Sequence, residues 1–365
     1  AIERLFWSSR GMTIQDVVWI EIIYSIVIII LEIPTGYLAD KFSRKNLIVI
    51  DGFLTVLEIL ILIYAYEFWQ FSLAVIFSGI GHTLQSGSHN SLIYDTLKIN
   101  NKEKLFETVI ARIKIIDYSG IMLSGLLGSW VAIHKGYLST YWLSLISLII
   151  AFIVSLTLKE ANSEKKIYKD VRNNYSSDII KFVLTNESLY LVTLVGIVLG
   201  GVTIYLDEFW QLYFKYIGFS FEYNGYVIII FSIVIIFANI SSQYIKNKIG
   251  FSILLKLLPF ICFILFIIIS FTKNWIGIVI ISVIFYFSAV VEPMIYGYLH
   301  SKAIDRYRAS IESVYSLIFR ISVGIIGLPF GFISTKLNIL MGFLYLAVII
   351  GIINIILLFK NNIKF

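Results

Sequence analysis

The ten residues Gly36–Lys45, GYLADKFSRK, place a glycine and four charged side chains between two long apolar runs. The flanking runs, near Ile14–Tyr37 and Asn46–Tyr66, are each long enough to cross about 30 Å of hydrocarbon as an α-helix. Charged side chains are costly inside a bilayer, so four of them together predict a loop at the membrane surface. These residues therefore predict two antiparallel membrane helices joined by a short charged connection.

The composition of the whole chain is that of an integral, all-α membrane protein. Of its 365 residues, 59% are hydrophobic and 14% are charged, whereas a soluble domain averages about 25% charged. The opening AIERLFWSSRG predicts the outer end of a helix that begins before Ala1, so that the first of twelve helices is truncated. The other eleven predicted spans are Ile14–Tyr37, Asn46–Tyr66, Phe71–Leu97, Val109–Ile133, Ser139–Leu158, Leu189–Phe214, Tyr223–Tyr244, Ser252–Phe271, Trp275–Leu299, Ile311–Ser334 and Ile339–Phe359.

A polar segment, residues 159–186, divides the chain into two predicted helix bundles, residues 1–158 and 187–365. Within the segment, a short surface helix is predicted near Asp178–Leu184. Lys and Arg are concentrated in this linker and in every second loop, which predicts that these loops and both termini are cytoplasmic. The opposite loops contain only Arg10, Lys135, Lys215, Lys273 and Lys336.

Several functional classes are excluded by what the sequence lacks. The single cysteine, Cys262, cannot form an intramolecular disulfide and indicates no metal site, so it is expected to be a small core or lipid-facing residue. No Gly-x-x-x-x-Gly-Lys-Ser/Thr loop occurs, so ATP is not the direct energy source within this chain. No cofactor and no nucleic-acid partner are expected, because the net charge of +6 is explained by membrane topology.

A six-plus-six helix chain with GYLADKFSRK between its second and third helices resembles the major facilitator superfamily. That family's loop motif is Gly-x-Leu-Ala-Asp-Arg-x-Gly-Arg-Lys, and Ser43 stands here in place of the second glycine. The stretches EIPTG, which includes Glu32, and SGSHNSLIYDTLK resemble a bacterial branch that contains many drug exporters. The resemblance implies two six-helix bundles related by a pseudo-twofold axis and a transport function.

The resemblance also implies a gate at the cytoplasmic surface. Asp40 is expected to lie against the positive N-terminus of helix eleven, which begins near Arg308 and Ser310. Arg44 is expected to pair with Asp95 at the inner end of helix four. The gating residues are therefore predicted to be Gly36, Asp40, Arg44, Lys45, Asp95 and Arg308.

Ionisable residues at membrane depth are candidates for substrate binding or proton coupling. Glu292 and Arg320 lie at about the same depth on neighbouring helices and are predicted to face each other or share a cavity. His89 and Asp117 match in the same way on helices four and five, and a His beside a carboxylate can change charge near neutral pH. For both pairs, a structural tie between helices is the alternative. Glu32, Glu3 and Arg4 complete the candidate set.

Three other polar or aromatic features have plainer interpretations. Glu58, on helix three, is expected to serve helix packing. Asp207 and Glu208 are expected at the outer rim of helix seven, as a solvated pair that could attract cations. An aromatic stripe on the same helix predicts either packing or a wall for a lipophilic or cationic substrate; its members are Tyr205, Phe209, Trp210 and Tyr213.

The leading functional hypothesis is a secondary transporter, not an enzyme, that works by alternating access. Proton-coupled efflux of a hydrophobic or cationic small molecule or drug is favoured, and a nutrient, peptide or lipid transporter is the alternative. A polytopic membrane acyltransferase is a distant alternative, since His82 and His89 lack a catalytic motif; a non-transporting receptor stays open. The partners expected are a small-molecule substrate, a coupling proton and the lipid bilayer, for a monomer in a bacterial-type inner membrane.

Overall fold

The computed structural model describes residues 2–41, 43–102, 105–160, 185–302 and 308–359. Within these residues the chain is helical, with twelve α-helices and one short 3-10 helix, Phe221–Tyr223. The helices are α1 Glu3–Ser9, α2 Ile14–Lys41, α3 Arg44–Tyr64, α4 Phe68–Ile99, α5 Phe106–Lys135, α6 Tyr137–Leu156, α7 Glu187–Tyr216, α8 Asn224–Ile249, α9 Phe251–Phe271, α10 Ile276–Lys302, α11 Arg308–Lys336 and α12 Ile339–Phe359.

Nine of the described helices are long and apolar enough to cross a membrane. The sequence predicted eleven such spans, and the difference lies in α4 and α5. These helices have 32 and 30 residues, so both are long enough to cross a membrane. In α4 the polar stretch GHTLQSGSHNS interrupts the apolar character, whereas the count of nine refers to the described residues, which leave out several side chains of α5.

The chain forms two units, Ala1–Lys169 and Asp170–Phe365. The dividing point falls in residues 161–184, outside the described part of the chain, as does the surface helix predicted at Asp178–Leu184. The predicted boundaries of the linker therefore stay predictions. Each unit contains six of the described α-helices.

In unit 1, α4 packs along both α2 and α3, and α6 packs along α3. Close approach of α4 to α2 depends on Gly79, because a Cβ there would lie 2.9 Å from Cγ1 of Val27. Small residues at helix contacts are typical of membrane proteins, in which the lipid supplies little hydrophobic driving force for association. In α5, by contrast, a Cβ built at Gly120 or Gly128 would have no described atom within 4 Å.

In unit 2, α7 is the most buried helix and contacts α10, α11 and α12. Its aromatic stripe is core: Tyr205 and Phe209 pack on Phe330 of α11, with ring centroids 5.1 and 5.3 Å apart. Tyr205 also donates a hydrogen bond to the carbonyl oxygen of Val323, at 2.6 Å. All four stripe residues are at most 3% exposed, which supports the packing interpretation over a substrate wall.

Candidate functional site

The charged loop is held by residues from three parts of unit 1. Ser43 caps α3, since its hydroxyl accepts a hydrogen bond from the Asn46 backbone N–H at 3.3 Å. It also donates a hydrogen bond to the Glu160 carboxylate, which lies just beyond the end of α6. Serine is among the favoured N-cap residues, whereas glycine offers no side chain to bond. The departure from the family motif at this position therefore has a structural role.

Glu160 completes the cap of α3. Its Oε1 accepts the Arg44 backbone N–H at 3.2 Å and its Oε2 accepts that of Lys45 at 2.9 Å. Partial burial raises the pKa of this carboxyl, but hydrogen bonds from Ser43, Lys45 and Arg44 and the charge of Arg44 lower it, and the net pKa is below its ordinary value of 4.5. An ionised carboxylate at a helix N-terminus is stabilised by the unpaired N–H groups there. The end of α6 is thus fastened to the start of α3.

Arg44 also forms an ion pair with Asp95 of α4, the contact expected from the sequence. The side chains are 26% and 15% exposed, so the pair is only partly shielded from water. Gly36, Asp40 and Arg308 lie at helix positions whose surroundings are outside the described part of the structure, and their predicted contacts are not tested.

A cavity of about 350 Å³ lies among α7, α8, α10 and α11 in unit 2. Glu292 and Asp207 line it, together with the hydroxyl pair Thr203 and Ser288, whose oxygens are 2.9 Å apart. The described lining contains no Lys, Arg or His. Its remaining residues are Gly196, Leu199, Gly200, Ile204, Ile235, Phe285, Ala289, Val291, Ile295, Tyr296, Tyr315 and Phe319.

Two features of the helices shape the wall of this cavity. Gly196 and Gly200 of α7 let Tyr315 and Phe319 of α11 approach, because a built Cβ would lie 2.6 Å from the Tyr315 hydroxyl and 2.8 Å from a Phe319 ring carbon. In α10, Pro293 has no N–H to donate, so it leaves the carbonyl oxygen of Ala289 without its usual helical partner. The wall of the cavity therefore contains carboxylates, aromatic rings and oxygens that can form hydrogen bonds.

Asp207, which is expected near the outer rim of helix seven, is exposed and also lines this cavity together with Glu292. The predicted contact of Arg320 with Glu292 is not observed: no ion pair joins the two described side chains, and Arg320 is not among the cavity's lining residues. Equal depth fixes the height of a residue but not its angle, and Arg320 lies about 100° around α11 from Phe319.

The predicted pairing of His89 with Asp117 is not observed either. No ion pair joins the two described side chains, because α4 packs mainly on α2 and α3, not on α5. His89 lies close enough to Asp51 of α3 for their charges to interact. Glu32 is exposed within unit 1 and has no partner described for its carboxylate.

Glu3 and Arg4 lie together in a charged cluster on α1. The Arg4 side chain is 4% exposed, and its guanidinium lies 2.5 Å from the Glu21 carboxylate of α2 and 3.4 Å from that of Glu3. Glu21 was not among the predicted site residues. The three side chains join α1 and α2 through charge.

Comparison with known proteins decides the family. The family model of the Major Facilitator Superfamily matches residues 5–328. The chain belongs to the major facilitator superfamily. It is 26% identical over 311 residues to an uncharacterized transporter of Buchnera aphidicola subsp. Acyrthosiphon pisum, covering 80% of this chain and 74% of the relative. A transporter of Buchnera aphidicola subsp. Schizaphis graminum is 24% identical over 218 residues, which cover 54% of this chain and 53% of that protein.

Solved structures of superfamily transporters share the fold. The nucleoside transporter NupG superposes with a TM-score of 0.80 at 13% identity, covering 98% of this chain and 93% of that one. A bacterial homologue of the human lysosomal transporter Spinster, inward-facing and occupied, gives a TM-score of 0.67 at 13% identity, covering 99% and 91%. The predicted family and fold are confirmed, and the protein is a multi-pass membrane transporter, not an enzyme.

Sequence reasoning about this superfamily member missed Glu160 and Glu21 as structural partners. In the sequence Glu160 is one of many charges of the predicted linker, and the usable signal is its position just after a predicted span. Glu21 was passed over because it lies in a run otherwise interpreted as an ordinary span, although an acid within an apolar run warrants a search for a cation.

Proposed function

We propose that this transporter exports a hydrophobic or cationic small molecule in exchange for protons, by alternating access of its two six-helix halves. The observation that supports this function best is the unit 2 cavity, in which Asp207 and Glu292 share a lining with aromatic rings. Carboxylates and aromatic faces both attract organic cations. A volume of about 350 Å³ is at the lower end of the range for small-molecule sites.

The charged loop supports a gating role at the cytoplasmic surface. Arg44 joins α3 to Asp95 of α4, and Glu160 joins the start of α3 to the end of α6. In this proposal Gly36, Asp40, Lys45 and Arg308 act with them, and the contacts separate when the cytoplasmic side opens. The gate works as a set of ion pairs and caps whose loss shifts the balance between two conformations.

We propose that the transporter resides in a bacterial-type inner membrane, because its relatives are transporters of Buchnera. The concentration of Lys and Arg in alternate loops supports cytoplasmic termini. We propose a monomer as the transporting unit, since each half supplies its own helices to the alternating-access movement.

The competing candidate is uptake of a neutral polar nutrient. Its support is the hydroxyl pair Thr203 and Ser288, with Tyr296 also in the lining, because hydroxyls bind neutral polar molecules as well as cations. The structural likeness to a nucleoside transporter belongs with this alternative.

Flux in proteoliposomes distinguishes the two candidates. The purified protein is reconstituted, a pH gradient is imposed, and movement of lipophilic cations, nucleosides, peptides and lipids is measured with and without the gradient. We expect cation flux to depend on the gradient and to fall about 10- to 100-fold in Glu292→Gln, which removes the charge of a cavity carboxylate and keeps its shape.

Glu222→Gln is the matched control, because Glu222 is an exposed carboxylate in the short 3-10 helix, away from the cavity. Its flux is expected to equal that of the unmodified protein. Gradient-independent flux of a neutral nutrient, unaffected by Glu292→Gln, would favour the competing candidate and reject proton-coupled efflux.

A further inference from the structure

The helices α7 and α10, which supply both carboxylates of the unit 2 cavity, run antiparallel to each other. Three contacts spread along the two helices establish this direction, because positions that increase along α7 meet positions that decrease along α10. Moving toward the C-terminus therefore leads to opposite ends of the cavity on the two helices. The contacts pair Gly196 with Ile295, Thr203 with Ser288, and Tyr213 with Gly277.

This direction separates the two carboxylates along the helix axes. Asp207 lies four residues after Thr203 on α7, and Glu292 lies four residues after Ser288 on α10. Residues at this spacing share one face of a helix, and all four line the cavity. At a rise of 1.5 Å per residue, the Cα positions of the two acids are about 12 Å apart along the axes. The hydroxyl pair Thr203 and Ser288 lies midway between them.

The hydroxyl pair offers hydrogen-bond acceptors to the cavity. The Thr203 hydroxyl donates to the backbone carbonyl oxygen of Leu199 at 2.7 Å. The 2.9 Å hydrogen bond between Thr203 and Ser288 then uses the hydrogen of Ser288, because each hydroxyl has one hydrogen to donate. Both hydrogens are engaged within the protein, so the remaining lone pairs can accept an N–H from a ligand.

Aromatic rings line the Glu292 side of the hydroxyl pair. Tyr315 and Phe319 of α11 lie over α7 residues that precede Thr203, which is the side toward Glu292. The ring centroids of Tyr296 and Tyr315 are 5.5 Å apart, with the rings at 68° to each other. A carboxylate beside aromatic faces is a favourable environment for an ammonium group, because both attract a cation.

From this arrangement we infer that the cavity binds a linear polyamine. One terminal ammonium contacts Asp207 and the other contacts Glu292, while a central N–H donates to the hydroxyl pair. Two separated acids match two separated cations, and no Lys, Arg or His in the described lining offsets their charge. A volume of about 350 Å³ suits a slender aliphatic chain better than a bulky polycyclic molecule. The polyamine site rests on the proposed function and deepens it, because it names the class of cation that is exported.

Binding of matched amines to the purified protein in a neutral detergent, measured by titration calorimetry, tests the site. Norspermidine has two terminal ammonium groups and a central N–H. Diaminoheptane has the same chain length with a methylene in place of the central N–H, and heptylamine also lacks one terminal ammonium. We expect diaminoheptane to bind about 10-fold more weakly than norspermidine, and heptylamine about 10-fold more weakly again, because each loses one hydrogen bond involving a charged group.

Variants of the acids and of the hydroxyl pair assign the individual contacts. In Asp207→Asn and in Glu292→Gln, the affinity ratio between diaminoheptane and heptylamine should fall from about 10 to near one, because the second ammonium loses its carboxylate. In Thr203→Val, the ratio between norspermidine and diaminoheptane should fall in the same way. Glu222→Gln is the control and should keep both ratios. A merely structural effect weakens all three amines together and leaves the ratios unchanged.

Two results would overturn the polyamine site. One is equal affinity of norspermidine and heptylamine for the unmodified protein, a comparison that needs no variant and so does not depend on how the variants fold. The other is a pair of ratios that stays unchanged in the acid and hydroxyl variants.

The calorimetry includes no transport and no proton gradient, so it separates the polyamine site from the proposed function. If the amines bind in the expected order but none moves in exchange for protons, the site stands and proton-coupled export fails. If lipophilic monocations move with the gradient while norspermidine binds no better than heptylamine, export stands and the polyamine site fails.

Discussion

Unit 1 and unit 2 each contain six described helices, and contacts of two different kinds are described within them. In unit 1, ion pairs and a charged cap join helices near both ends, with Arg4 on Glu21 at one end and Arg44 on Asp95 at the other. In unit 2, buried rings pack against glycines, as where the Tyr205 hydroxyl lies over Gly327.

The two kinds of contact respond to different changes. An ion pair weakens when a partner is neutralised or when water enters, so it is sensitive to pH and to small openings. A ring packed on a glycine is insensitive to pH, but it tolerates no added volume. We therefore expect unit 1 to be sensitive to charge and unit 2 to be sensitive to shape, and the following changes test that difference.

The largest effect is expected from Arg4→Leu in unit 1. This change leaves the Glu21 carboxylate without its cation at a partly buried site, and breaking a buried pair costs about 3–5 kcal/mol of unfolding free energy. Thermal unfolding of the detergent-solubilised protein measures the loss. Arg112→Leu, at an exposed position of α5, is the matched control and should change little.

The double variant Arg4→Leu with Glu21→Leu separates charge from packing. Because apolar residues replace both members of the pair, most of the lost stability should return. A double variant no more stable than Arg4→Leu would mean that the Arg4 side chain stabilises unit 1 by its volume, which would contradict the charge-based description.

The next effect is expected from Gly327→Ala in unit 2. An added Cβ would overlap the Tyr205 hydroxyl, which donates to Val323, and overpacking of this kind costs about 1–3 kcal/mol. The control is Gly120→Ala, where a Cβ meets nothing within 4 Å in the described structure. Gly327→Ala combined with Tyr205→Phe should recover part of the lost stability. If Gly327→Ala and Gly120→Ala had equal unfolding temperatures, the packing of Tyr205 on Gly327 would be contradicted.

The fold of both units could be predicted from the sequence, because the features that indicate it are local ones. Span length and polarity can be counted along the chain, and the loop motif marks one position in a known arrangement. The contact between Arg44 and Asp95 could be expected in the same way, because both residues lie at helix ends that the family resemblance places side by side.

The rest of the site depends on the angle of each helix, which depth and spacing do not give. Glu292 and Arg320 match in depth, but neighbouring residues on a helix point about 100° apart, so one lines the cavity and the other does not. Glu160 was missed because it is 117 residues from Ser43 in the chain, so its position after a predicted span does not identify which helix it caps.

A smaller effect is expected at the predicted cytoplasmic end of unit 1. Arg44→Asp places like charges together and should cost about 1 kcal/mol, because the pair is partly exposed. Exchanging both residues, Arg44→Asp with Asp95→Arg, should restore stability. Arg112→Asp serves as the control for charge reversal on an exposed helix surface. If the exchange is as unstable as the single variant, the pairing itself does not provide the stability.

The smallest effect is expected from Glu160→Gln, and it should depend on pH. The folded-state pKa of Glu160 lies below its ordinary value of 4.5, so its contribution is fully present above about pH 4.5 and is lost as pH falls through the folded-state pKa. At pH 7 the variant should be less stable by under about 1 kcal/mol, because the carboxyl is partly exposed. The difference in unfolding temperature between the two proteins should shrink below pH 4.5.

Glu222→Gln is again the control, since Glu222 is an exposed carboxylate of unit 2, outside the described caps and ion pairs. It should show no such pH-dependent difference. A Glu160→Gln variant whose deficit persists unchanged at low pH would mean that the side chain holds α3 by shape or by neutral hydrogen bonds. Unit 1 would then not be sensitive to charge at the loop, where the Glu160 carboxylate accepts hydrogen bonds from two consecutive backbone N–H groups.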